Sequence, residues 1–127
     1  MRQIKSLLLL VAVVLLHGCS GSDTYRGTWK AIGSEGEKLE ITFEAKRFYI
    51  KDSSGKINHY DYSQNSVSIE NSVETYGIRL NDGREYYINF PIADDETKGI
   101  IKDAVGNPMY TISKTAYIKY EDIYKLK

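Results

Sequence analysis

The chain has 127 residues, one cysteine, and 17 basic side chains against 17 acidic ones. That length suits one domain, a single cysteine excludes an internal disulfide, and the balanced charge offers no basic footprint for nucleic acid. The balance hides a split: Arg2 and Lys5 precede an apolar run, and no acid precedes Asp23. Cut before Cys19, the chain is slightly acidic and still long enough to bury about two-thirds of its unfolded surface without disulfides.

The chain starts with MRQIK, a short positive segment, and continues into a ten-residue apolar run from Leu7 to Leu16. As a helix that run rises about 15 Å, half of a hydrocarbon core about 30 Å thick. It is too short to span a membrane and has the form of a secretory signal. Leu16-His17-Gly18-Cys19 closes it with a small residue and then the cysteine. This resembles the lipobox of bacterial lipoproteins: a Leu, a variable residue, Gly or Ala, then Cys. His17 takes the variable position, where Ala, Ser, Thr or Val is usual. The resemblance implies cleavage between Gly18 and Cys19, lipidation of the Cys19 thiol, and acylation of the new amine. Several acyl chains give stable membrane anchoring, since each buried CH₂ adds about 0.8 kcal/mol. Ser20, where an Asp often marks retention at the inner membrane, leans toward the outer membrane. The alternative is an ordinary signal peptide that leaves Cys19 as a free thiol. Residues 1–18 are therefore expected to be the signal peptide, 19–24 a lipidated tether, and 25–127 a single barrel-like domain.

From Tyr25 onward, β-formers dominate, with eleven Tyr and three Phe in the chain, and turn signals recur as in a sandwich or barrel. Tyr25–Lys30 opens the first expected strand, and further strands are expected at Lys38–Glu44, Arg47–Lys51 and, after the turn DSSG, Lys56–Tyr62. A separate short strand carries Val67 and Ile69. Tyr76, Ile78 and Leu80 lead into NDG, and Tyr86, Ile88 and Phe90 leave it. Thr97–Lys102 and Met109–Ser113 flank VGNP. Tyr117–Leu126 has the alternation of an edge strand, with a short final helix as the alternative. Strict alternation at Lys38–Glu44 puts Leu39, Ile41 and Phe43 on one face. The register across NDG follows from the faces. A two-residue turn sets Leu80 against Glu85, whereas a three-residue Asn81-Asp82-Gly83 loop sets Leu80 against Arg84 and Ile78 against Tyr86. The second keeps apolar with apolar and is a favoured hairpin type. The fold expected is all-β: an antiparallel up-and-down meander closing into a small barrel.

Gly27-Thr28-Trp29-Lys30 opens the first strand. This Gly-x-Trp start resembles the lipocalins and fatty-acid-binding proteins, in which the Gly lets the backbone bend and the Trp plugs the closed end. The resemblance implies a calycin-type barrel with an apolar interior and a small lipophilic ligand. This chain lacks the two helices that fatty-acid-binding proteins insert after the first strand. It also has no Arg after Arg84, only Lys, where lipocalins lay an Arg over the Trp from the last strand. Whether the interior of so small a barrel is open or filled by side chains is left undecided by sequence. If open, Phe43, Phe48, Ile78 and Tyr86 are the residues expected to line a ligand. No cofactor is expected. The other reading is a protein-interaction module of the envelope: an inhibitor, an immunity-type protein or an accessory subunit.

Catalytic and metal-binding patterns are thin. His59 and Asp61 lie two apart on one strand face, without a third ligand. No nucleophile elbow occurs, and the chain is not expected to be an enzyme. Asp94-Asp95-Glu96 lacks EF-hand spacing and is expected to be a solvated loop. Asp52, Asp82 and Asp103 each sit at a turn, where an Asp accepts from nearby backbone N–H groups. Tyr49, Tyr87 and Tyr117 are candidates for a partner surface, with β-propensity as the plainer explanation.

Overall fold

The computed structural model describes residues 22–124. Gly18, Cys19 and the leader lie outside the described residues. Eight antiparallel strands follow one another in a meander: β1 Gly27–Gly33, β2 Lys38–Phe43, β3 Arg47–Lys51, β4 Ile57–Glu70, β5 Val73–Leu80, β6 Glu85–Phe90, β7 Lys98–Asp103 and β8 Pro108–Ser113. Each pairs with the next, and β1 also pairs with β8 through Lys30↔Ser113 to Gly33↔Tyr110, which closes the barrel. Side-chain alternation decides which residues face inward. In β2, Leu39, Ile41 and Phe43 are buried while Lys38 and Glu40 are exposed; period-2 patterning places every second residue in the core.

The meander gives the barrel two unlike ends. At one end lie the turns β1–β2, β3–β4, β5–β6 and β7–β8, all built the same way. Gly33, Asp52, Leu80 and Asp103 each donate their N–H to the carbonyl four residues on. The N–H of the glycine three residues on returns a bond to each of them. These are three-residue loops ending in glycine, and the register across NDG is Ile78↔Tyr86 and Tyr76↔Ile88, as expected. The turn carboxylates do what their positions suggested. Asp52 Oδ1 accepts from the N–H of Ser54 and Lys56, both at 3.0 Å. Asp82 Oδ1 accepts from Arg84 N–H at 3.0 Å, and Asp103 Oδ1 from Val105 at 3.0 Å and Asn107 at 2.9 Å.

The opposite end is plugged by aromatics. Trp29 is fully buried, and its Nε1 donates to the carbonyl of Tyr25 at 2.9 Å. The Tyr25 ring meets Phe43 edge-on at 5.4 Å and Tyr76 at 5.3 Å, while Trp29 packs on Phe90 at 5.8 Å. Lys114, just past β8, holds its Nζ 4.1 Å from the Trp29 ring centroid and donates to the Arg26 carbonyl at 3.0 Å. A lysine thus takes the cation position over the tryptophan that the sequence had left without an arginine. Gly27 makes this approach fit. Its φ is +104°, and a Cβ there would come within 2.9 Å of Lys114 Nζ. Residues 22–24, expected to be tether, already rest on this end: Ser22 N–H donates to Gln64 Oε1 at 3.0 Å.

Two expected elements differ. Lys56–Tyr62 and the Val67–Ile69 strand are one long β4, not two strands. A register shift between Gln64 and Ser66 absorbs one residue, so pairing with β5 runs through without a break. Gly77 opposite Ser66 permits it, because a Cβ there would lie 2.2 Å from Ser66 Oγ. Tyr117–Tyr124 is not an edge strand. It is irregular, with a 3₁₀ turn at Tyr120–Asp122, closer to the helical alternative; Leu126 lies outside the described residues. β1–β8 closure leaves no edge for a ninth strand beside β8. The segment instead lays Ile118 and Ile123 on Ile100, covering the outer wall.

The turn carboxylates predict a pH profile. A Ser54 hydroxyl bond at Asp52, the Arg84 guanidinium at Asp82, and the Asn107 N–H at Asp103 hold these pKa values below the ordinary carboxylate range. A depressed folded-state pKa adds stability above the unfolded value of about 3.9 that is lost as pH falls through the lowered one. Thermal midpoints should therefore stay level above about pH 5 and fall below about pH 4. The Asp52→Asn, Asp82→Asn, Asp103→Asn variant keeps an acceptor at each turn without the titration, and its decline should be shallower. An equally steep decline would rule the turns out as its source.

Candidate functional site

Interior side chains of seven strands leave an apolar space short of the turn end. It measures about 110 Å³ and is lined by Ile41, Phe43, Phe48, Ile78, Leu80 and Ile101, with Tyr60, Tyr86, Tyr110 and Met109 toward the mouth. The four residues singled out from sequence, Phe43, Phe48, Ile78 and Tyr86, are thus brought together. Phe43, Phe48 and Ile78 are buried, and Tyr86 is half-buried at the rim. Alternation and the NDG register place them: Ile78 faces Tyr86, and Phe43 faces Phe48. The aromatic walls continue into one another, with Phe43–Phe48 at 5.2 Å and Phe48 stacked on Tyr60 at 5.1 Å.

Arg84 spans the mouth. Its guanidinium carbon lies 5.5 Å from the Tyr60 ring centroid, and Nη1 donates to the Tyr86 hydroxyl at 3.3 Å. Asp82 holds it from the turn, accepting from Nε at 2.9 Å and lying 2.8 Å from Nη2. Deeper in the rim, burial pushes the Tyr110 hydroxyl pKa up, so it stays protonated as a donor. The mouth is a ring of tyrosine hydroxyls with one neutralised cation. Sequence reasoning did not assign Arg84, Tyr60 or Tyr110 to the site. For Arg84 the signal was present, since the register that sets Leu80 against it points it inward; Tyr60 stands two residues from buried Tyr62 on the same face.

At the far wall, the cavity stops against the aromatic plug. Tyr25 OH donates to Gln64 Oε1 at 2.8 Å, and Tyr62 OH donates to the Glu44 carbonyl. Burial raises the pKa of Tyr25 and Tyr62, each by desolvation first, keeping both as neutral donors. These bonds hold the plug in place and close the cavity from below.

The remaining sequence candidates lie elsewhere. His59 is exposed on the outer wall opposite Tyr49, and Asp61 pairs with Arg47 at 2.8 Å. Among the described residues, no three His, Cys, Asp or Glu side chains gather around a metal position. In the acidic loop, Asp95 accepts from Thr97 N–H at 2.9 Å. Tyr49, Tyr87 and Tyr117 occupy separate parts of the outer wall. Tyr117 is flanked by Lys30 and Lys38, whose Nζ atoms lie 5.5 and 5.2 Å from its ring.

The eight-stranded closed meander with Trp29 at its plugged end is compatible with a lipocalin-like, calycin-type barrel. No family model matches the chain, and no curated protein or solved structure is significantly similar to it.

Wall and rim should differ in their energetics. Phe48→Ala removes a buried ring that touches Phe43, Tyr60 and Tyr62 and should cost about 3–5 kcal/mol. Tyr86→Phe removes one rim hydroxyl and should cost about 1 kcal/mol or less. Urea unfolding of both variants measures the gap; equal losses would mean the rim is as tightly packed as the wall.

Proposed function

We propose that this chain is a lipid-anchored lipoprotein of the bacterial cell envelope, at the outer membrane, whose barrel binds a small lipophilic ligand and catalyses no reaction. The observation that carries the binding reading is the apolar space of about 110 Å³ beneath the tyrosine mouth. Its size sets the ligand class. Small-molecule sites usually measure about 300–1,000 Å³, whereas an apolar cavity of about 150 Å³ takes up benzene. The ligand is therefore a single ring or a short branched chain, not a long-chain fatty acid. Anchoring rests on Leu16-His17-Gly18-Cys19 and the apolar run before it.

A second reading has one observation in its favour. Val67 and Ile69 are exposed on a strand that runs past the barrel wall, as suits a module that pairs with another envelope protein.

Native mass spectrometry of the full chain, released gently from its membrane, tests the ligand. The spectrum should carry a bound mass smaller than a phospholipid, and Tyr86→Asp at the rim should lose it. A wild-type spectrum without any adduct overturns ligand carriage. The anchor is tested apart from it: Cys19→Ser should shift the chain from the membrane to the soluble fraction and retain the uncut precursor size. Unchanged membrane association would overturn anchoring alone.

A further inference from the structure

β4 pairs with a different neighbour along each part of its length. Ile57–Asp61 pair with β3, and Tyr62–Glu70 pair with β5. The last bond to the β3 side is from Tyr62 N–H to the Lys46 carbonyl at 3.0 Å. Beyond it, among the described residues, no strand lies along the other side of β4. Proteins commonly blunt such an edge with Lys, Pro or a covering segment. The stretch Gln64–Glu70 has no Lys, Arg or Pro. It exposes Val67 at 49% and Ile69 at 62% instead.

The direction of the backbone groups follows from the hairpin tip. Asn71 and Ser72 both have positive φ, at 52° and 63°, as in a two-residue turn closed by the hydrogen-bonded pair Glu70↔Val73. Alternation then turns the N–H and C=O of Glu70, Ser68 and Ser66 toward β5. Those of Val67 and Ile69 face the empty side.

We propose that this edge pairs antiparallel with the same edge of a second copy, with the two-fold axis at Ser68. Val67 then faces Ile69 of the second copy, and the two strands exchange four N–H···O=C bonds through these residues. Ser68 faces Ser68, and the only charge, Glu70, faces Ser66. Other registers fit worse. Centring on Val67 sets Ile69 against Asn65 at the bulge, and centring on Ile69 sets Val67 against the turn residue Asn71. Apolar-to-apolar pairing without a like-charge contact selects the Ser68 register.

The chain's own tether fits this arrangement. Ser22 N–H is held by Gln64, and Tyr76 OH donates to Thr24 Oγ1 at 3.2 Å. Gln64 faces Ile78, and Val67 faces Tyr76, so the N-terminal segment lies on the barrel-interior face of the arm. A two-fold axis normal to the paired sheet leaves both N-terminal segments on the same side. Two copies paired in this way present their Ser22 ends to one side of the paired sheet. The pairing itself does not require the anchor.

Oxidative cross-linking of the full chain in its membranes tests the proposal. In a non-hydrogen-bonded antiparallel pair the Cα atoms lie about 4.5 Å apart, inside the disulfide range of about 4.4–6.8 Å. Ser68→Cys should give a disulfide-linked dimer several times more abundant than wild type, whose single cysteine is Cys19, and than Ser54→Cys at the opposite end of the barrel. Adding Val67→Pro removes the outward N–H but no bond to β5, and should return the dimer to the wild-type level with the thermal midpoint unchanged. Cross-linking of Ser68→Cys no greater than that of Ser54→Cys overturns the proposal. So does a folded Val67→Pro, Ser68→Cys chain that still forms the dimer.

Discussion

Trp29 is the residue on which both ends of the domain depend. Its ring is wholly out of water, its one polar atom is satisfied by the Tyr25 carbonyl, and a cation from beyond the last strand lies over its face. The N-terminal segment is thereby tied to the ring by a hydrogen bond, and the C-terminal segment by cation–π attraction and the Lys114–Arg26 bond. The β1–β8 ladder runs directly beside these contacts. The β1–β8 seam has no edge to fray only while its first and last strands stay paired. Trp29 and Lys114 clamp that seam. Partial burial draws the Lys114 ammonium pKa down, the cost of holding a charge against an aromatic face.

The small cavity is a result of this plug. An eight-stranded barrel has room for side chains or for one small ligand, not for both in full. Here Tyr25, Phe43, Tyr62, Tyr76 and Phe90 fill the lower interior around Trp29. Large rings occupy the volume that a fatty acid would take, and their hydroxyls are directed to Gln64, Glu44 and Thr24, so none is left without a partner. The stretch between Phe48 and the turn end stays unfilled. The division of labour is physical: one end supplies stability, the other supplies space.

The period-2 pattern made most of the barrel legible. Leu39, Ile41 and Phe43, then Tyr76, Ile78 and Leu80 could each be assigned a face from the chain alone, and the NDG register followed by requiring the faces to agree. Four features were not legible, each for a different reason. The union of two β4 pieces depends on a bulge that Gly77 accommodates from the neighbouring strand, a tertiary fact. The last segment alternates like a strand, but strand closure elsewhere denied it an edge. The lysine over Trp29 was hidden because residue type, not position, had been the guide. Cavity volume was beyond sequence altogether, since it is a small difference between barrel size and side-chain bulk.

The short turns at the mouth have a kinetic consequence. The four three-residue turns at that end are too short to act as flaps, and the Arg84 side chain lies across Tyr60 and Tyr86 at the mouth. Loop lids open on the microsecond to millisecond scale, whereas a partly exposed side chain changes rotamer in picoseconds to nanoseconds. For a ligand of the proposed kind, a side-chain screen of this sort would leave passage limited by diffusion and binding strength rather than by a loop motion. Under the proposed ligand carriage, occupancy would then track the surrounding concentration almost at once, as in a sampler rather than a store.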